Sequence, residues 1–182
     1  MYYKMKIAGL ERELELFPVE SGLQIAAFIM FNDTEITEAA ASELLKKAPE
    51  YDVIMTAECK GIPLAYEMAR QAKKPYIVAR KKPKLYMRDC ITTNADSITT
   101  AGMQSLCIGA SEIEAIKGKR VLVVDDVISS GGSLQAIDYL AETAGAEIVG
   151  QCAVLAEGDA ADRTDIFFLE KLPLFDKDGN IV

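Results

Sequence analysis

An open α/β sheet of mainly parallel strands, entered through a small all-β hood, is the fold this sequence predicts. Three observations carry that expectation. From residue 33 onward apolar runs alternate with helical patterns, the mark of a parallel sheet with crossover helices. Val121-Leu122-Val123-Val124 is apolar at every position, as in a strand covered on both faces. Residues 1–32 instead hold three short strand-like runs, and are expected to form the hood of a single 182-residue domain whose α/β core spans 33–182.

The hood strands are expected at Met5 to Leu10, Leu14 to Val19 and Leu23 to Phe31, with Ser21-Gly22 turning between the last two. Asn32-Asp33-Thr34 caps a helix whose apolar side is Ile36, Ala40, Leu44 and Ala48, stopped by Pro49-Glu50. Asp52 to Ala57 reads as a strand, and Gly61-Ile62-Pro63 opens the next helix, proline being suited to a first turn. Pro75 to Arg80 is the following strand. Lys81 to Met103 is polar and poor in regular structure, and a long loop inside a compact domain is usually functional or mobile. Leu106 to Gly109 follows as a short strand, and Ser111-Glu112-Ile113-Glu114 fits a capping box. Arg120 to Asp125 is the central strand. Ser133 then opens a helix with Leu134, Ile137, Leu140, Ala141 and Ala144 on one side and Gly145 as its stop. Ala146 to Ala156 and Asp165 to Leu169 close the sheet.

Half of the residues are hydrophobic and 26% are charged, the balance of a soluble globular domain. The longest charge-free apolar run, Ile25 to Phe31, is too short to span a bilayer, and no leader core follows Met1 to Lys6, so no membrane association is expected. Cys59, Cys90, Cys107 and Cys152 are scattered and histidine is absent, which argues against disulfides and zinc and excludes Ser-His-Asp and Cys-His catalysis. A cytoplasmic location is expected. The net charge of −8 argues against a nucleic-acid partner. Yet eight of the 20 Lys and Arg residues fall between Arg70 and Arg88, a local patch that suits a small polyphosphate. A solvated basic face would have the same composition.

The most informative stretch is Val121 to Ser133. Asp125 and Asp126 follow the apolar run where the strand is expected to leave the sheet. Ser129-Ser130-Gly131-Gly132 then form a turn whose small side chains let N–H groups converge on an anion, facing the positive end of the Ser133 helix. No lysine follows the glycines and no G-x-G-x-x-G occurs, so neither a nucleoside-triphosphatase loop nor a dinucleotide fingerprint is present. Two acids beside a phosphate cradle suit a ligand with hydroxyls one sugar-width from its phosphate. A buried strand joined to a helix by a glycine-rich turn is the plainer reading, but it leaves the acids unexplained.

This segment closely resembles the phosphoribosyl-pyrophosphate (PRPP) motif of the type I phosphoribosyltransferases: an apolar strand, two acids, variable residues, then Thr/Ser-Gly-x-Thr/Ser. The resemblance implies that Ser129, Ser130, Gly131, Gly132 and Ser133 hold the 5′-phosphate and that Asp125 and Asp126 accept from the ribose hydroxyls. It also implies Mg²⁺, held mainly by PRPP and water, and a homodimer. Glu58-Cys59-Lys60-Gly61 follows a strand and precedes a helix, so it is expected near the cradle. It looks like the pyrophosphate loop of the adenine enzymes, with Lys60 on the diphosphate; as an ordinary strand–helix turn it would only expose a lysine. Cys59 is read as packing. Arg80-Lys81-Lys82-Pro83-Lys84-Leu85 is similar to the run that begins the flexible loop of adenine phosphoribosyltransferases. That similarity places Arg80, Lys81 and Lys84 on the pyrophosphate, where cations stabilise departing charge. The implied catalytic set is Asp125, Asp126, Lys81 and Lys84. Val127 and Ile128 are expected on the floor of the base pocket. Phe28 or Phe31 either stacks on the base or packs in the core, while Phe167, Phe168 and Glu157 are read as structural.

Two features complicate the assignment. Where adenine enzymes carry a Leu-Glu-Tyr-Gly-like run, Ser97 to Gly102 puts Thr100 at the glutamate position. Asp96, Glu58 or a backbone group then substitutes, or the chemistry is absent. Met55 to Tyr66 is also very like a stretch of bacterial purine repressors, which use such a domain to sense PRPP behind a DNA-binding winged helix. This chain is expected to be too short, and too acidic at its start, to hold one. A purine phosphoribosyltransferase, with adenine the favoured base, is therefore expected. A non-catalytic PRPP sensor is the alternative.

Overall fold

The computed structural model describes residues 1–19, 22–93 and 105–182. Ser21 and the run 97–102, with Thr100, lie outside the described residues, as does Asp96. The hood is a three-stranded antiparallel sheet of β1 (Tyr2–Ile7), β2 (Leu10–Pro18) and β3 (Gln24–Ala27), in that order. Ala8 and Gly9 join the first two strands with φ values of 49° and 87°. Positive φ at both central residues matches the strand twist and makes a tight hairpin. The expected single strand from Met5 to Leu10 is thus broken at a turn, because an alanine at its first central position gives no turn signal. Ile7, Leu14, Leu16 and Ala26 point inward and are buried.

The C-terminal end of the chain completes the hood. Phe175 N–H donates to Gln24 O at 3.0 Å, and Gln24 N–H donates to Phe175 O at 2.7 Å. The Phe175 ring meets that of Tyr3 with centroids 4.9 Å apart.

Helix α1 (Thr34–Lys47) begins at Asp33, whose Oδ1 accepts from Ile36 N–H at 3.1 Å. Arg12 of β2 grips the same carboxylate at 2.7 and 3.0 Å, which ties hood to core and holds Asp33 below the usual carboxylate range. Then follow β4 (Val53–Ala57), α2 (Ile62–Ala72), β5 (Tyr76–Ala79) and a short antiparallel pair, β6 (Ile91–Thr92) with β7 (Cys107–Ile108). Helix α3 (Ala110–Ile116) is capped at Gly109, two residues before the expected Ser111, so its capping acid is Glu112, accepting from Gly109 N–H at 3.1 Å, and not Glu114. The chain ends with β8 (Arg120–Ile128), α4 (Gly132–Thr143), β9 (Glu147–Glu157), a 3₁₀ turn at Gly158–Asp162 and β10 (Phe167–Leu172). Helix α4 closes as expected at Gly145, whose φ is 78°. Ala146 N–H returns to Ala141 O and Gly145 N–H to Glu142 O, both at 2.9 Å.

The central sheet is parallel throughout, in the order β10–β9–β8–β4–β5. Two cores flank it. On the hood side Ile7, Phe28, Leu44, Leu64, Leu122 and Val124 pack together with α1 and α2. On the other side Met55, Val121, Val123, Leu134, Ile137 and Leu140 pack beneath α4.

β8 is longer than its sequence suggests. It pairs with β9 as far as Ile128↔Ala156, but with β4 only as far as Met55↔Val123. Asp125 and Asp126 therefore lie within the strand, not beyond its end. They stand where one neighbour is still paired and the other has turned away.

Replacing the almost fully buried Phe175 by alanine should cost about 3–5 kcal/mol, the usual loss for a buried phenylalanine. Urea unfolding measures this. A change below about 1 kcal/mol would show that the C-terminal segment does not anchor the hood.

Candidate active site

The divergence of β8 from β4 opens a cleft of about 470 Å³. Adjacent residues of a strand point to opposite faces, yet both Asp125 and Asp126 line this cleft, which wraps the freed edge of β8. Ile25 to Ile29, at the end of β3 and just beyond it, form its roof, with Val127 and Leu172 adding apolar wall. A recess of about 60 Å³ continues from it, lined by Asp125, Val127, Ile128 and the turn Ser129 to Ser133. Gly131 sits there with φ 81° as the residue before α4. The first N–H groups of that helix lack intrahelical partners, and the positive end of its dipole faces the turn, so the recess suits an anion.

The Glu58 to Gly61 turn closes the opposite wall, with a cis peptide between Glu58 and Cys59. Gly61 has ordinary helical backbone angles; close approach is what requires it. A Cβ there would stand 2.5 Å from Thr56 Oγ1 and 3.2 Å from the Asp125 Cα. Thr56 is fully buried beneath the turn, and its Oγ1 has no hydrogen-bond partner among the described residues. This seat brings Lys60 Nζ to 3.2 Å from Asp126 Oδ2. That contact is an ion pair without hydrogen-bond geometry, and it leaves the lysine half exposed.

Burial and the adjacent Asp126 carboxylate push Asp125 up to about 8, while Asp126 N–H donates to Asp125 Oδ1 at 2.9 Å. Two neighbouring acids in one dry site cannot both ionise cheaply, so Asp125 holds its proton more tightly than a free carboxyl does. Glu58 behaves oppositely. Lys81 N–H donates to it at 3.0 Å and, with the nearby Lys84, Arg80 and Lys81 charges, holds it below the usual range.

Most of the residues singled out in the sequence converge here. Glu58, Cys59, Lys60, Lys81, Asp125, Asp126, Val127, Ser129, Ser133 and Phe28 line the cleft, and Cys59, expected to pack, is instead exposed there because it lies in the turn between β4 and α2. Ser130, Gly131 and Gly132 line the recess, as does Ile128, which is away from the cleft floor expected for it. Arg80 and Lys84 line neither. The Arg80 guanidinium donates to the exposed Tyr86 hydroxyl at 3.0 Å, and its backbone pairs with Cys107. Phe31 lies in a separate groove with Pro63 and Tyr66, whereas Phe28 is buried in the core and also meets the cleft.

Two residues were missed. Glu157, read as structural, is in the cleft wall at the end of β9. Arg163 Nη1 packs 3.0 Å from where a Gly131 Cβ would stand, while its other nitrogens hold Asp165 at 2.9 and 2.6 Å. Long-range packing positions both; only the placement of Glu157 at a strand's carboxyl end was a usable signal.

An open parallel sheet with a phosphate-sized anion recess and paired acids at the carboxyl ends of its strands defines an α/β protein whose site is suited to a phosphorylated ligand. The chain belongs to the phosphoribosyl transferase domain family, whose pattern matches residues 30–176. It is 34% identical over 156 residues to an adenine phosphoribosyltransferase of Flavobacterium johnsoniae, covering 84% of this chain and 88% of that protein. It is 30% identical over 176 residues to a hypoxanthine/guanine phosphoribosyltransferase of Methanotorris igneus, covering 93% and 89%. The purine biosynthesis transcriptional repressor of Bacillus subtilis shares 30% identity over 113 residues, 62% of this chain and 39% of the repressor. In fold it resembles the crystal structure of adenine phosphoribosyltransferase from Thermoanaerobacter pseudethanolicus, with a TM-score of 0.70 at 21% identity over 87% of this chain and 95% of that one. No helix among the described residues is long and apolar enough to cross a membrane.

Asp125 gives the free protein a signature. Its proton is retained in the folded state and lost in the unfolded state between about pH 4 and about 8, so stability should fall as pH rises through that window and level off above it. Unfolding of the wild type against Asp125→Asn, followed from pH 4 to 9, checks this. The variant should lack the fall; the same slope in both would place the proton elsewhere.

Proposed function

We propose that the protein is a purine phosphoribosyltransferase that transfers the 5-phosphoribosyl group of PRPP to a base, adenine by the resemblance of its loop, with release of pyrophosphate. One observation carries the reading: a single cleft joins an anion recess, two adjacent carboxylates and a lysine-bearing turn in the order that phosphate, ribose and pyrophosphate take along PRPP. Residues 129–133 would bind the 5′-phosphate through N–H and hydroxyl donors. Asp125 and Asp126 would accept from the ribose 2′- and 3′-hydroxyls. Lys60 and Lys81, with Arg80 and Lys84 behind them, would meet the pyrophosphate.

In the reaction the base nitrogen forms a bond to the anomeric carbon. The bond from that carbon to pyrophosphate breaks, its electron pair leaves on the pyrophosphate oxygen, and the nitrogen's proton passes to solvent or a nearby acceptor. Positive charge develops on the ribose beside the two acids and negative charge grows toward the lysines, so each end of the site is complementary to the transition state. The hood residues over the cleft would limit the access of water, the competing nucleophile.

The donor set fits magnesium. No cluster of three or more Asp, Glu, His or Cys side chains exists among the described residues, so an all-protein cage is not built. Asp125 and Asp126 beside a ligand rich in oxygen suit an ion that keeps its waters and binds through one or two carboxylates. When bound, magnesium would neutralise charge on the pyrophosphate. A cytoplasmic homodimer free of nucleic acid completes the proposal, supported by the resemblance and the acidic balance.

The similarity to the purine repressor supports a second reading, a PRPP sensor without turnover. Pyrophosphate release from magnesium and PRPP with adenine, hypoxanthine, guanine and xanthine separates the two. Release with at least one base, reduced roughly a hundredfold or more by Asp125→Asn with Asp126→Asn and by at least about tenfold in Lys81→Ala, is expected of the enzyme. No release from any base while PRPP still binds would establish the sensor.

A further inference from the structure

Glu157 is the one cleft carboxylate without a part in the account above. It ends β9, on the side of β8 away from β4 and β5, and its strand partner is Leu172, another wall residue. The strand order spreads a bound ligand across the sheet. The cationic turn and Lys81 belong to β4 and β5, the sugar and phosphate groups to β8, and only β9, β10 and the hood are left for the base. Ile25, Ala27 and Phe28 of the hood, Val127 of β8 and Leu172 of β10, which line the cleft along with Glu157, are apolar.

The Glu157 carboxylate is half-buried and takes no hydrogen bond from any described residue. Burial raises its pKa against a smaller lowering by Lys60, as for an acceptor short of donors. We propose that Glu157 reads the exocyclic amino group of the base, so that the cleft favours the aminopurines adenine and guanine over hypoxanthine and xanthine. This inference rests on the phosphoribosyltransferase reading of the site. An amino N–H supplies the donor that the carboxylate lacks. A carbonyl at C6, or at C2 in xanthine, would set acceptor against acceptor, and the bare C2–H of hypoxanthine would leave the carboxylate without its donor. A site built on hydrogen bonding rejects both.

The product nucleotides isolate the base term, because AMP, GMP, IMP and xanthosine monophosphate carry the same ribose phosphate. Calorimetric titration of each with magnesium should show AMP or GMP binding roughly ten- to a hundredfold more tightly than IMP and xanthosine monophosphate, the range expected for one hydrogen bond to a charged group. Whichever of AMP and GMP is favoured says whether the amino group read is at C6 or C2. Glu157→Gln should weaken the favoured nucleotide roughly tenfold and leave IMP unchanged or tighter. Equal binding of all four by the wild type overturns the inference without any variant. So does an equal loss across all four in Glu157→Gln. No binding of any nucleotide overturns the cradle assignment and this inference with it. Absent pyrophosphate release with the nucleotide ranking intact removes the enzyme reading alone.

Discussion

Everything at this site depends on burying two adjacent carboxylates at the point where one strand loses a neighbour. Carboxylates are costly in a sheet interior, and Asp126 is only 2% exposed. The fold meets the cost locally. Lys60 stands over Asp126, and Asp125 holds its proton more tightly than a free carboxyl does. Both arrangements require the Glu58 to Gly61 turn to lie directly on β8, which only a residue without a side chain permits at position 61. A site relieved in this way is ready for a ligand that brings hydroxyl donors and positive charge, because each improves what the free protein leaves imperfect.

From that point the sheet topology distributes chemistry by charge. Strands β4 and β5 deliver cations, β8 delivers the acids and then the anion recess at the start of α4, and β9 and β10 deliver an apolar wall with a single carboxylate. The hood roofs the apolar end. It is held by Arg12 on Asp33 at one side and by the C-terminal strand segment at Phe175 on the other. A remote segment thereby sets the height of the roof over the apolar end of the cleft.

The central sheet, its helices and the recess were legible because each rests on local chemistry: an all-apolar run, a cap, glycines where N–H groups must converge. The length of β8 was not, since two acids inside a paired strand look like its end. The Ala8-Gly9 hairpin was hidden by an alanine at positive φ. Within the site, Asp125, Asp126 and Lys60 followed from the pattern of strand, turn and helix. Glu157 did not, because its importance comes from the position of β9 in the sheet order. Phe31 failed for the converse reason: an aromatic beside the hood strand faces a groove near α2 and not the cleft.

The most direct test of the account is the binding of PRPP with magnesium, followed by titration calorimetry on the wild type and on two variants. Saturable one-to-one binding is expected. It should be lost when Asp125 and Asp126 are both changed to Asn, and weakened at least about tenfold by Gly132→Val, which adds bulk to the lining of the recess. Absent binding by the wild type, or binding indifferent to both changes, would contradict it.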